Sequence, residues 1–288
     1  MDTRFLETFL AVAEQGSLMA AARRLNISPA AVAQRIRALE GEFGVKLLTR
    51  SGREVAPTEA GLAVIQKGRD LLREARDLVS IAGSGSMSGE LRIGSVSSAL
   101  TGILPDVMRH LFATHPSIDL FIKPGSSKDL YAEVVAGNLD ACAIVEPRLA
   151  LPKTHVFRSL RDEPLVLIAP SALAGGDAVT LLENEPFIRY DRSHWGGHIA
   201  DEYLKQMRIR PRDRLEVDSL EAIAVMVSRG IGVSLVPDWA PPWPAGLDIA
   251  KFELPPPAQG RRIGLFYVRM SPRQKLIDAF VSAAFPSG

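Results

Sequence analysis

The sequence predicts an α/β chain in two parts: a small helical N-terminal unit with a short hairpin, and a larger half of alternating strands and helices. Three observations carry that prediction. From Phe5 to Phe43 apolar residues recur at helical spacing. The run Gly83-Ser84-Gly85-Ser86-Met87-Ser88-Gly89 reads as a flexible linker. Beyond it, short apolar runs of strand length alternate with amphipathic stretches, the pattern of βαβ units.

The chain has 288 residues, enough for two or three folding units, and its hydrophobic fraction of 47% is ample for buried cores. No apolar run approaches the roughly 20 residues of a membrane span, and the acids in Met1-Asp2-Thr3-Arg4-Phe5-Leu6-Glu7 do not suit a signal peptide. A cytoplasmic location is expected. Cys142 is the single cysteine, which excludes an intramolecular disulfide and a cysteine-cluster metal site within these residues; its apolar surroundings, Ala141 to Val145, point to burial.

In order along the chain, Phe5, Leu6, Phe9, Leu10 and Ala13 mark a first helix that Gly16 stops. Ser17 caps a short alanine-rich helix running through Leu25. Ser28-Pro29 starts a third, with Val32, Ile36, Leu39 and Phe43 as its buried stripe and Gly44 as its end. Two helices across a short turn make a helix-turn-helix, and the second would lie in a major groove. Ala30, Gln34 and Arg37 then point away from the core, with Ala33 and Arg35 on the flanks. Small residues at 30 and 33 allow close approach to the groove. Gln34 can bond an adenine edge, and Arg35 and Arg37 can reach guanine or phosphate. Ser51-Gly52, between two partly apolar stretches, suits a hairpin wing that aims Arg50 and Arg53 at the DNA backbone. Although the net charge is only +1, Arg23, Arg24, Arg35, Arg37, Lys46, Arg50 and Arg53 form a local basic concentration.

These residues also carry a resemblance. Phe9 to Ser17, Ala20 to Leu25, Ala31-Val32, Ile36, Leu39-Glu40, Gly44-Val45, Leu47-Leu48, Arg50 and Thr58-Glu59-Ala60-Gly61 together resemble the signature of LysR-type transcription regulators. Two departures stand out. Ser28-Pro29-Ala30-Ala31 replaces the common Ser-Gln-Pro-Ala, and Ala33-Gln34 replaces a serine and a basic residue. Ser28, Pro29, Ala33 and Gln34 fall among positions that read DNA in the family, so the operator does not follow from the resemblance. The fold does: a winged helix-turn-helix, a long linker helix and a two-lobed, periplasmic-binding-protein-like effector domain. The resemblance further implies double-stranded DNA, a small-molecule effector and RNA polymerase as partners, and a dimer of dimers. No cofactor is implied.

Thr58 caps the linker helix, in which Val64, Gly68, Leu71, Ala75, Leu78 and Ala82 alternate by four and three as a coiled-coil seam for self-association, widened on one side by Ile65, Leu72 and Val79; packing against its own domain is the alternative. The expected organisation is therefore 1–58 for DNA binding, 59–87 for dimerisation, and 88–288 for the effector. Within the last, lobe I comprises 88–162 and 263–288, and lobe II comprises 163–262. Strands are expected at Leu91–Val96, Ile118–Ile122, Ala141–Val145, Leu165–Ala169, Leu215–Val217, Val233–Val236 and Ile263–Val268. Helices are expected at 102–113, 129–136, 196–207, 220–229 and 272–285, the whole making parallel sheets covered by helices. By resemblance, the last strand and helix return to lobe I, which leaves a cleft between the lobes.

Ligands in such sheets bind beyond the carboxyl ends of strands, at helix N-termini. That rule selects Ser97, Ser98 and Thr101, then Ser126 and Ser127, then Glu146, and Ser193, His194 and Trp195 from the second lobe. Hydroxyls and free backbone N–H groups suit a small carboxylate or an amino acid, although each serine is also an ordinary helix cap. Glu146 and Asp191 leave two options open: they face away, or they select an amine or hydroxyl on the ligand. His194 and His198 share a helix face, but no third ligand lies near in sequence to make a metal site. There is no Gly-x-Ser-x-Gly elbow, P-loop or dinucleotide fingerprint, so an enzyme is not expected.

Overall fold

The computed structural model describes residues 1–51, 54–82, 88–271 and 273–285. Gly52, Arg53, the linker residues 83–87 and Pro272 lie outside the described residues, as do the side chains of Arg50, Val79 and Ala82. The chain forms two compact units, Met1–Gly89 and Glu90–Gly288.

In the first unit, α1 (Thr3–Gln15), α2 (Leu18–Leu25) and α3 (Pro29–Phe43) form where the capping residues put them. Asp2, Ser17 and Ser28 each accept a backbone N–H of the following first turn, from Arg4, Ala20 and Ala31 respectively. Gly16 and Gly44 close α1 and α3 in the left-handed region, at φ 62° and 70°. Leu6, Phe9, Val12, Ala21, Val32, Leu39 and Leu47 are sealed in one core. Phe43 departs from expectation. It is 41% exposed, because the last turn of α3 outruns the core, which Leu47 closes instead. Strands β1 (Leu48–Ser51) and β2 (Glu54–Pro57) pair antiparallel as the wing.

Helix α4 (Glu59–Ala82) begins at Thr58, whose hydroxyl accepts from the Gly61 N–H and donates to the Lys46 carbonyl. Part of its expected seam turns inward. Val64, Ile65 and Leu72 pack on the α1–α3 core, and a Cβ on Gly68 would stand 3.0 Å from Leu6 Cδ1. A helix that packs one stripe on its own unit cannot give that stripe to a partner. Leu71 and Leu78 instead remain exposed.

The second unit has two sheets. Lobe I contains β3 (Gly89–Ser95), α5 (Ser97–Gly102), α6 (Leu104–Thr114), β4 (Ile118–Pro124), α7 (Ser127–Val135), β5 (Ala141–Val145) and β6 (His155–Glu163). Lobe II contains β7 (Leu165–Pro170), a short 3-10 turn, α8 (Ala178–Asn184), β8 (Pro186–Tyr190), α9 (Trp195–Met207), β9 (Arg212–Val217), α10 (Leu220–Ser228), β10 (Ser234–Pro237) and β11 (Ile249–Glu253). The chain returns to lobe I as β12 (Arg261–Val268) and α11 (Gln274–Ala284).

The lobe I sheet runs β4-β3-β5-β12-β6, and the lobe II strands form β10-β7-β11 beside the parallel pair β8-β9, linked by a bridge from Phe187 to Val233. The sheets are mixed rather than parallel. β12 is antiparallel to β5, and β7 is antiparallel to β10. Both of these strands enter their lobe from the other one, so each runs away from the cleft toward which its neighbour points. In β7, Leu165, Leu167 and Ala169 face α8 and α9, while Val166 and Ile168 face α10, as a strand covered on both faces requires. Among the described residues no helix is long and apolar enough to cross a membrane.

Candidate functional site

In the first unit, α3 presents Ser28, Pro29, Ala30, Gln34 and Arg37 to solvent, with Ala33 half-buried beside them. Arg35 turns back, its Nη1 donating to Thr8 Oγ1 of α1 at 3.3 Å. Arg24 and Arg69 both bind Glu14. At the far end of α3, the buried carboxylate of Glu40 accepts from the backbone N–H groups of Leu47 and Leu48 and from Lys46 Nζ, fixing the start of the wing to the helix. Burial alone would raise the Glu40 pKa; those donors outweigh it and hold the group below its ordinary value.

In the second unit, a cavity of about 340 Å³ opens between the lobes. Lobe I lines it with Ser97 and Ser98 at the start of α5 and with Ser126 and Ser127 at the start of α7; lobe II contributes His194, Trp195 and the Asp218–Glu221 segment. Arg261, the first residue of β12, is buried in its wall. Its Nε donates to Glu163 Oε2 at 2.7 Å and its Nη2 to Ser98 Oγ at 2.8 Å. Tyr190, from the end of β8, lies beside the guanidinium. Burial raises the pKa of the phenol, Arg261 pulls it back, and the carboxylates of Asp218 and Asp191 push it further up. Contacts across the cleft hold the lobes together. Trp195 packs edge-on against Tyr131 of α7 at 6.0 Å, Arg148 pairs with Glu202, and a Cβ on Gly102 would stand 2.4 Å from the Ala240 carbonyl oxygen.

Residues 3–62 match the family described as "Bacterial regulatory helix-turn-helix protein, lysR family", and residues 84–285 match "LysR substrate binding domain". The regulator YnfL of Escherichia coli K12, named an uncharacterized HTH-type transcriptional regulator, is 33% identical over 247 residues, 82% of each chain. The chain belongs to the LysR family of transcription regulators. A "Hydrogen peroxide-inducible genes activator" of Dickeya chrysanthemi is 31% identical, over 84% of this chain and 81% of its own. Among solved structures, full-length CbnR complexed with its target DNA superimposes with a TM-score of 0.73 at 24% identity, covering 100% of both chains. A LysR chain thus has a helix-turn-helix DNA-binding domain and an effector-binding domain, and its relatives are named as regulators, not enzymes.

Within this LysR frame the cleft gathers six of the expected residues: Ser97, Ser98, Ser126, Ser127, His194 and Trp195. Three others stand outside it. Thr101 Oγ1 bonds back to the carbonyls of Ser97 and Ser98 within its own helix. Glu146 pairs with Arg262 at 2.5 Å, and Ser193 is exposed, with its N–H given to Asp191 Oδ1. Asp191 is therefore engaged in the turn and does not line the cavity. His198, one turn past His194, faces Glu202 at 3.2 Å. Two of the serines also serve locally. Ser126 Oγ caps α7 at the Asp129 N–H, and Ser127 Oγ accepts from the Val145 N–H.

Sequence reasoning missed Arg261, Tyr190 and the Asp218–Ser219–Glu221 group. Arg261 sits at the beginning of an antiparallel strand, which lies at the same edge as the ends of the parallel ones. Asp218 and Ser219 follow β9 and the strand-end rule reaches them, since Ser219 caps α10 as Ser126 caps α7.

Proposed function

We propose that this LysR regulator binds a small carboxylate-bearing molecule in the interlobe cleft and reads DNA with the exposed face of α3. The observation that carries the effector reading is Arg261: a buried guanidinium, joined to Ser98, beside Tyr190, and walled by residues of both lobes. A carboxylate there meets charge-assisted donors out of bulk water. Because the wall spans both lobes, occupancy biases their relative angle.

On the DNA side, the exposure of Ala30, Gln34 and Arg37 supports base reading, and Ser28, Pro29, Ala33, Arg50 and Arg53 complete the proposed contact set. Arg35, bonded to Thr8, is assigned the flank, where it steadies α3 against α1 and reaches phosphate. The exposed Leu71 and Leu78 of α4 support self-association as a dimer, with a dimer of dimers, RNA polymerase contact and a cytoplasmic location following from family membership.

The relative named for hydrogen peroxide raises a second reading, oxidation of a thiol. Cys142 opposes it: its thiol is fully buried, pushed well up in pKa by that burial, and has no second cysteine among the 288 residues. A gel-shift with the DNA upstream of the protein's own gene tests the regulator reading. A retarded complex that persists in reductant and changes on adding a small carboxylate supports it; no preference over random DNA defeats it.

A further inference from the structure

The cleft is lined by charges of both signs, and together they do not suit a plain anion. Arg261 is already balanced by Glu163, whose Oε2 is 2.7 Å from its Nε. Against that neutral pair the lining sets three carboxylates, Asp129, Asp218 and Glu221, and no further lysine or arginine. Asp129 is bonded by Ser126 Oγ at 2.7 Å, and Glu221 by Ser219 Oγ at 3.3 Å. Asp218 differs, because no side-chain hydrogen bond or ion pair engages it among the described residues.

We propose, building on the cleft reading above, that the effector is a zwitterion of free amino-acid size, with its carboxylate at Arg261 and Ser98 and its ammonium beside Asp218.

Each pole has capacity to spare. Arg261 gives Nε to Glu163, one N–H of Nη2 to Ser98 and a further N–H to the Tyr190 hydroxyl, which leaves two of its five donors for a ligand. A Cβ on Gly196 would come within 3.3 Å of Arg261 Nη1 and 2.9 Å of the Tyr190 ring, so the glycine keeps the space before the guanidinium open. Three carboxylates lining the cavity, Asp129 from lobe I and Asp218 and Glu221 from lobe II, repel an anion and attract a cation, and desolvation on ligand entry strengthens both effects. Tyr190 borders the Arg261 guanidinium, and Asp218 lines the same cavity. Lining one small cavity, Arg261 and Asp218 suit opposite charges carried on a single small molecule. The volume, about 340 Å³, is at the small end of ligand pockets.

The competing account of Asp218 is that it favours the N-terminus of α10, immediately after it, through the helix dipole. The two accounts separate by experiment on the full chain. The twenty common L-amino acids are screened by thermal shift at millimolar concentration, and each one that binds is compared by calorimetry with its deamino carboxylic acid and its decarboxylated amine. At least one amino acid is expected to raise the melting midpoint, with both truncated partners binding about tenfold more weakly or worse. Asp218→Asn should weaken the amino acid by about tenfold while leaving the deamino acid as tight or tighter, a divergence that a helix-stabilising role does not produce. A deamino acid that binds as well as its parent, an Asp218→Asn affinity equal to wild type, or no response to any amino acid overturns the proposal. Ser98→Ala tells that failure from failure of the site. If an amine-free acid binds and Ser98→Ala weakens it, the cleft stands and the zwitterion falls. If a ligand binds and neither variant affects it, the cleft itself is wrong.

Discussion

Arg261 and Glu163 form an ion pair in which both side chains are almost wholly removed from water, each at the end of a strand through which the chain passes between the lobes. Glu163 also accepts the Ala240 N–H through Oε1 at 3.1 Å, so one carboxylate ties β12, the segment after β10 and, through Arg261, Ser98. The pair is better understood as a device for positioning than as a source of stability, since burying two charges offsets most of their attraction.

Removing one member is a different matter. Glu163→Ala leaves a buried guanidinium without its counter-charge and should cost about 3–5 kcal/mol. In a calorimetric scan of the full chain, the transition of residues 90–288 should fall by roughly 10 °C, while that of residues 1–89 stays. A fall of both together would mean that the two units do not melt independently.

Glu40 gives a pH signature to the DNA-binding unit. Its pKa is depressed in the fold, so its contribution is present above the unfolded value near 4.5 and is lost as pH falls through the depressed one. Glu40→Gln keeps an acceptor for the Leu47 and Leu48 N–H groups but loses the charge, at a cost of about 1–3 kcal/mol at neutral pH. The gap in melting midpoint between wild type and variant should narrow steadily below pH 4.5. A gap independent of pH would mean that the carboxylate's charge does not secure the wing.

How far the sequence disclosed all this depends on whether a signal was local. Ser17, Ser28, Gly16 and Gly44 mark helix ends by their own backbone chemistry, and each stands where it was read. Ser98 and Ser127 were found because strand ends and helix starts are also local. Arg261 was not, since its value arises from Glu163 and Ser98, respectively 98 and 163 residues away in sequence. The strands β6, β8 and β11 escaped for a related reason. Their charged residues, such as Arg189 held by Asp201 and Asp213, break the apolar pattern and are compensated only in three dimensions. Spacing puts Gly68 in a coiled-coil seam whereas it packs on Leu6, because spacing alone does not say which neighbour a helix stripe meets.

The division of labour on DNA is testable with two variants. In the proposal above Gln34, exposed on α3, reads a base edge, and Arg53, which lies outside the described residues, meets the backbone. Gln34→Ala should reduce discrimination between operator and random DNA by about 1–3 kcal/mol. Arg53→Ala should weaken both alike and reduce the slope of log affinity against log salt by about 0.9. Footprint titrations at several salt concentrations measure both quantities, and equal losses on both DNAs for both variants would refute the assignment.

The two faces of α4 lead to opposite expectations for substitutions only ten residues apart in sequence. Gly68 faces inward, with Leu6 Cδ1 3.0 Å from where its Cβ would be, so Gly68→Leu overpacks the core at about 1–3 kcal/mol and lowers the melting midpoint of residues 1–89. Leu78 is 67% exposed and Leu71 38% exposed, on a helix whose other stripe is already used by its own unit. A partner helix is the simplest cover for two leucines two turns apart. Each leucine occurs twice in a symmetric dimer, so Leu78→Lys should forfeit at least about 3 kcal/mol of association, besides placing two ammonium groups at the interface. Sedimentation equilibrium on the full chain should find Leu78→Lys shifted toward monomer while residues 1–89 still melt in a cooperative transition. If Leu78→Lys and Leu71→Lys both sediment like the wild type, the exposed leucines do not form the dimer contact, and self-association must come from residues 90–288.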